Sequence, residues 1–203
     1  MRVVIEDESE ALAPVPAFPS GESYIDLRQN PRAIERIAPA RAHLPLRNFL
    51  SAINCTKSVF TSAAVATESR ASSDRLSGES FEFVSRIRLV FAILSLNFDR
   101  IQYTEIMAAL KELLERDSAE SIRAVLHVSL CDFPEQDRRG FCLEIQLIAR
   151  GDSPQQAEVR WDWGWLACSR LFYSVLERWG SRSAREILKN SLPRVKSSSK
   201  SIK

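Results

Sequence analysis

Residues 141–179 place a strand pattern directly before a helix pattern, and this constrains the fold more than any other part of the sequence. Apolar and polar side chains alternate along residues 141–148, as a strand with one buried face requires. Farther on, the apolar spacing becomes that of an amphipathic helix, whose buried stripe comprises Trp165, Cys168, Phe172, Val175, Leu176 and Trp179. This stretch therefore predicts a strand followed by a long helix.

Similar patterns predict the other elements. Strands are expected at residues 59–67, 81–91 and 122–131, and the last of these forms a hairpin with the strand at 141–150 through a long polar loop. A helical stripe predicts a helix at residues 104–116, with Thr104 as its cap. We therefore expect an α+β fold, in which an antiparallel sheet of about four strands carries two main helices and is flanked by disordered termini.

Composition divides the 203-residue chain into an arm, a core and a tail. Residues 1–30 are acidic at the start and contain several prolines, so they predict a disordered arm. Residues 31–181 have the apolar periodicity of a single α+β domain, and that length is ordinary for one core. Residues 182–203 contain seven Lys or Arg residues against one glutamate, which predicts a basic flexible tail.

The residue types that carry catalysis are not arranged for it. The four cysteines have no CxxC spacing and only two histidines are present, so the sequence contains no zinc pattern and predicts reduced, buried thiols. It also contains no nucleophile elbow and no glycine-rich phosphate loop. We therefore expect a binding or assembly protein that is not an enzyme and that uses no cofactor or metal.

Trp161, Trp163 and Trp165 lie within five residues, too close for all three rings to enter one core from a single strand or helix. Tryptophan is favoured at protein interfaces, because its ring is large and apolar and carries one N–H donor. The three tryptophans are therefore candidate protein-interface residues. In the alternative interpretation, Trp161 and Trp165 cap the sheet and Trp163 covers a loop.

Two further candidate sites lie near the arm. Tyr24, Ile25, Asp26 and Leu27 have the form Tyr-x-x-Leu, which sorting and budding adaptors bind when it is displayed in an extended segment. Arg28, Arg32 and Arg36 are spaced i, i+4 around a helix start at Asn30-Pro31, so they would line one face that contacts acidic lipid or phosphate. The alternative for these arginines is a solvated face balanced by Glu35.

Two parts of the chain together resemble the matrix proteins of rhabdoviruses. Residues 79–114 contain the strand ESFEFVSRIRLV and the helix start Tyr103-Thr104-Glu105-Ile106, followed by Ala108-Ala109-Leu110, which is similar to the aromatic strand and alanine-containing helix of that family. Residues 140–178 contain LEIQLIAR, an acidic GDS loop and Trp161-Asp162-Trp163, similar to the family's late strand, acid-rich loop and Trp-Asp-aromatic step. In place of a proline-rich late motif, the arm carries Tyr24-Ile25-Asp26-Leu27.

The resemblance implies a non-enzymatic viral assembly protein that self-associates and bridges the nucleocapsid to the anionic inner face of the membrane during budding. Its partners would be other copies of itself, the nucleocapsid, the membrane surface and host budding or sorting adaptors, with no specific nucleic-acid sequence. It would be intracellular, cytoplasmic and membrane-peripheral, and would form the inner layer of the virion. The residues expected to contact membrane or nucleocapsid are Arg28, Arg32, Arg36, Lys196, Lys200 and Lys203.

Two other classes of function remain open. The first is a cellular, for instance bacterial, α+β interaction or scaffold module, in which the hairpin and helix units form a dimer surface and both tails are inert. The second is nucleic-acid binding through the basic tail, although the tail lacks the interleaved aromatic residues that bind single strands by stacking.

Overall fold

The computed structural model describes residues 1–6, 15–16, 25–56, 58–72, 78–116, 121–170 and 172. These residues form an α+β fold, as predicted, with helices packed on a mixed sheet. The main strands are β1 (Arg2–Glu6), β3 (Phe60–Ala71), β4 (Phe81–Phe91), β5 (Ile122–Phe133) and β6 (Arg138–Gly151). Their spatial order is β1-β5-β6-β4-β3, and the two-residue strand β2 (Val15–Pro16) also pairs with β5.

The helices are α1 (Ala38–Ala42), α2 (Leu44–Ile53), α3 (Arg100–Leu114) and α4, which begins at residue 154 and is described to residue 170 and again at residue 172. Short 3₁₀ helices cover Pro31–Arg36, Leu94–Phe98 and Pro134–Gln136. One main hydrophobic cluster joins the sheet to these helices, and it includes residues from Met1 to Phe172. Two smaller buried clusters, one around Cys131 and Cys142 and one around Val84 and Ile148, lie apart from this main core.

The sheet has one more main strand than predicted, in addition to the two-residue β2, and its strands are not all antiparallel. β3, β4, β6 and β5 form the expected antiparallel set, but β1 pairs parallel with β5, from Arg2 opposite Arg123 to Glu6 opposite His127. The prediction that residues 1–30 form a disordered arm is therefore wrong for this strand. Val3 and Leu27 are both buried, and both contribute apolar surface to the main core.

Three boundaries also differ from the prediction. β3 continues to Ala71, four residues past the predicted end at residue 67. The long loop predicted between β5 and β6 is instead a tight connection, in which Asp137 takes a left-handed conformation with φ of 46°. Helix α3 begins one turn early because Asp99 accepts a hydrogen bond from the Ile101 N–H at 3.0 Å, whereas the hydroxyl of Thr104 donates to the Arg100 carbonyl inside the helix.

The predicted basic tail, residues 182–203, lies outside the described residues. Among the described residues, no helix is long and apolar enough to cross a membrane.

Candidate functional site

Helix α4 is fixed to the centre of the sheet by two tryptophans that share one hydrogen-bond acceptor. Trp161 and Trp165, one helical turn apart, are both fully buried, and each donates its indole N–H to the Oγ of Ser85 on β4, at 2.9 Å and 3.0 Å. Ser85 is itself fully buried. Because a buried N–H without an acceptor is costly, this serine determines where both rings can lie.

Aromatic contacts surround the two buried indoles. Trp165 packs against Phe49 of α2 with ring centroids 4.6 Å apart, and Trp161 packs against Phe83 of β4 at 4.9 Å. The imidazole of His43 meets Trp161 edge-on at 4.8 Å. These contacts connect α2, α4 and β4 through side chains with well-defined positions.

The backbone of α4 also lies very close to the strands below it. A Cβ added at Gly164 would meet Leu147 Cδ2 at 2.8 Å, and one added at Gly151 would meet the backbone nitrogen of Ala157 at 2.6 Å. The sheet and α4 therefore approach each other at two glycines, one within the helix and one at the end of β6. This close packing fixes which face of α4 points outward.

That outward face is apolar. Val159, Trp163 and Leu166 follow at i, i+4 and i+7, so they form one stripe on the side of α4 opposite the buried tryptophans. Their exposed fractions are 54%, 69% and 42%. A stripe of large, exposed apolar side chains on a well-packed helix is characteristic of a protein contact surface. We call Val159, Trp163 and Leu166 the α4 stripe.

An acidic pair and a histidine border this stripe. The Nδ1 of His43 lies 3.4 Å from Asp162 Oδ1, and its Nε2 lies 3.7 Å from Glu158 Oε1. His43 is almost fully buried, whereas the two carboxylates are partly exposed. Burial raises the pKa of Asp162, and the opposing attraction of His43 is the smaller effect.

The structure separates the three tryptophans that were predicted to form an interface. Trp161 and Trp165 have no surface for a partner because they fill the core, so the interface prediction is wrong for these two residues. Trp163 is the indole that reaches the surface. It extends from a helix, and neither of the two sequence interpretations placed it there.

The predicted Tyr-x-x-Leu motif is only partly described, because Tyr24 lies outside the described residues. Leu27 is 3% exposed, and Asp26 accepts hydrogen bonds from the backbone N–H groups of Arg28 and Gln29 in a turn. Ile25 is half-buried against the core. Because Leu27 is buried, an adaptor could not contact its side chain in this conformation. The prediction of a displayed, extended motif is therefore wrong for Leu27.

The three arginines predicted to line one helical face do not do so. Arg28 precedes the helix, and its guanidinium donates to the carbonyls of Thr56 and Ser58 at 2.9 Å and 3.0 Å. Arg32 and Arg36 are exposed but lie in a 3₁₀ helix, where residues four apart diverge. The remaining predicted basic contacts, Lys196, Lys200 and Lys203, lie outside the described residues.

Sequence reasoning missed Val159, Leu166 and His43 as site residues. The predicted helical stripe begins at Trp165, so Val159 lies before it and the periodicity of the exposed stripe is not apparent. Pro154, after Asp152 and Ser153, was the available signal, since proline is favoured in the first turn of a helix. His43 meets its carboxylates across more than a hundred residues, a contact that no local pattern reports.

Within the described residues, no group of three or more His, Cys, Asp or Glu side chains is placed to hold a metal ion. No protein-family model matches this chain, and no curated protein or solved structure is similar to it.

Proposed function

We propose that this protein is a non-enzymatic assembly protein that self-associates through the α4 stripe. The observation that carries the proposal is the exposure of Trp163 on the outer face of a helix whose inner face is anchored by two buried indoles. Burying large apolar side chains is the main favourable contribution in most protein association, and tryptophan is enriched among residues that dominate binding energy. The same residues exposed on a monomer would reduce its solubility.

A second copy of the chain is the occupant that best suits this surface. Contacts between identical subunits about a two-fold axis require a self-complementary patch. On α4, the acidic residues Glu158 and Asp162 border the N-terminal half of the stripe, and the exposed Arg170 follows Leu166 at i+4. Two α4 helices packed antiparallel would bring Arg170 of one copy toward Glu158 of the other, with the stripes between them.

Sedimentation velocity over a concentration series tests this proposal. The wild-type chain should form a dimer or larger species, and Trp163→Glu should shift it toward monomer by placing a charge in the contact. Ile101→Glu is the matched control, because Ile101 is 65% exposed on α3, away from the stripe. A monomeric wild type, or equal effects of the two substitutions, would contradict the proposal.

In its more specific form, the proposal is a viral matrix-type protein that bridges the nucleocapsid to the anionic inner face of the membrane. What supports the membrane contact is the exposure of Arg32 and Arg36, together with the basic residues of the tail. Each basic residue near an anionic bilayer contributes about 1 kcal/mol, and salt screens this attraction. The exposed stripe supports only the self-association part of this function.

Co-sedimentation with phosphatidylserine vesicles tests the membrane contact separately. We expect pelleting at low salt that falls as salt rises, and a further loss with the double variant Arg32→Ala, Arg36→Ala. Vesicles of neutral lipid serve as the control. Pelleting that ignores salt, or no pelleting at low salt, would reject the membrane role and leave self-association to be judged by sedimentation velocity.

A further inference from the structure

The sheet has a second face, which points away from α3 and α4. On β4 its side chains are those of even-numbered residues, such as Arg86 and Arg88, because the odd-numbered ones enter the helix-covered core. The strand register extends this face in rows across the sheet. One row is Ala66, Arg86, Gln146, Val125 and Val4, and the next is Glu68, Val84, Ile148, Arg123 and Arg2.

This back face is rich in arginine. It carries Arg2, Arg70, Arg86, Arg88, Arg123 and Arg150, against the glutamates Glu68, Glu82 and Glu144. Two of the arginines are used to neutralise one carboxylate: Glu82 is 2% exposed and is held by Arg70 and Arg150, each at 3.1 Å. That end of the face is therefore an internal ion-pair cluster.

Arg86 and Arg88 differ from that cluster. Arg86 is exposed, its cross-strand neighbours Ala66 and Gln146 are uncharged, and it makes no ion pair with the described residues. Arg88 contacts a single carboxylate oxygen, that of Glu144 at 3.3 Å, through one Nη, and its other Nη has no partner among the described residues. Both guanidinium groups therefore retain N–H donors for a ligand.

A second basic position lies three strands away from Arg86. Arg2 on the edge strand β1 is exposed, and it pairs in register with Arg123 on the same face. Standard strand spacing and rise place the Cα of Arg86 about 16 Å from the Cα of Arg2 on a diagonal across the sheet.

We propose that Arg88, Arg86 and Arg2 form a track on the back face that binds the phosphate backbone of a single-stranded nucleic acid without reading its sequence. Arginine's planar fork suits phosphate oxygens, and the track contains arginine rather than lysine. The back face presents no exposed aromatic ring for base stacking among its described residues, so the contacts would be to phosphate.

A nucleic acid fits this surface better than an anionic bilayer does. Glu68 and Glu144 lie on the same face as the track, each in an ion pair with an arginine, so the face presents mixed charges and not the continuous positive surface that suits an anionic bilayer. A single strand instead presents discrete phosphates that can follow the arginines diagonally and pass between the acids. This inference does not depend on the α4 stripe, which lies on a helix packed against the other face of the sheet.

Fluorescence anisotropy with labelled single-stranded RNA tests the proposal. The probes are a uridine homopolymer and a mixed-sequence strand of the same length, measured from about 50 mM to 200 mM salt. We expect similar affinity for both strands and a log–log salt slope near −2, since each of three phosphate contacts contributes about −0.7. The single variant Arg86→Ala should weaken binding of both strands equally and reduce the slope by about 0.7.

The control variant is Arg41→Ala combined with Arg100→Ala, which removes exposed arginines from the helical side. Arg86 has no ion pair to lose, so its substitution should leave the thermal melting curve unchanged and keep the result interpretable. The proposal would be overturned by no binding at 50 mM salt, by equal losses in Arg86→Ala and the control, or by binding to phosphatidylserine vesicles but not to RNA.

Discussion

Trp165 donates its indole N–H to the Oγ of Ser85 at 3.0 Å, across the boundary between helix α4 and the centre of the sheet. The same oxygen accepts from Trp161. One small side chain therefore sets the rotation of α4 about its own axis. Because that rotation turns Trp163 outward, a polar contact in the core determines which apolar side chains the protein presents to a partner.

Replacing Ser85 with alanine removes a single hydroxyl group but should destabilise the fold strongly. The substitution leaves two buried indole N–H groups without an acceptor, and each such group costs about 1–3 kcal/mol. We expect a loss of about 2–4 kcal/mol in the free energy of unfolding, measured by urea titration with tryptophan fluorescence. Ser129→Ala, in a half-buried position on the back face, is the control, and an equal loss there would contradict this assignment.

The carboxyl of Asp162 predicts a dependence of stability on pH. Burial raises its folded-state pKa above the ordinary value near 4, so ionisation of this group opposes folding. This destabilisation is absent at pH values below the unfolded-state pKa of Asp162. It develops as the pH rises from there through the raised folded-state pKa. Asp162→Asn should therefore match the wild type in acid and become more stable than it as pH increases.

Chemical denaturation at a series of pH values measures this difference. Glu105→Gln, which removes a carboxyl from the outer surface of α3, controls for the loss of one negative charge. A stability difference between Asp162→Asn and wild type that is the same at every pH would refute the role of burial. His43 faces Asp162, and its attraction opposes the effect of burial on the pKa of Asp162.

Arg28 and Arg32 should behave differently, although sequence spacing placed them on one face. Arg28→Ala removes donors to the carbonyls of Thr56 and Ser58, and hydrogen bonds from charged groups contribute about 1.5–3 kcal/mol. We expect a lower thermal midpoint for Arg28→Ala and an unchanged one for Arg32→Ala. The reverse order, or equal midpoints, would show that Arg28 is not a structural residue.

Local patterns in the sequence were sufficient for the antiparallel part of the sheet and for helix α3. Alternation in residues 81–91 reports directly which side chains are buried, because neighbouring positions on a strand face opposite sides. Strand β1 could not be predicted in this way. It pairs parallel with a strand more than a hundred residues away, and the acidic residues that follow it suggested disorder.

The candidate site was predictable only in part. Three tryptophans within five residues indicated that one ring must reach the surface, but which ring depended on where the helix began. With the helix start at residue 154, Trp161 and Trp165 are one turn apart and face the core, and Trp163 faces outward. The back-face arginines are not apparent as a site from the sequence, because register between distant strands is what brings them together.

The central claim, that α4 stripes of two copies meet, is tested most directly by cross-linking at Leu166. Cys55 is the exposed native thiol among the described cysteines, and the other three are buried. In the Cys55→Ser variant, a cysteine introduced by Leu166→Cys is therefore the accessible thiol. A short bifunctional maleimide should give a covalent dimer in high yield at Leu166→Cys and little at Ile101→Cys, and Trp163→Glu should abolish it. Equal yields at the two positions, or no dimer at Leu166→Cys, would contradict the account.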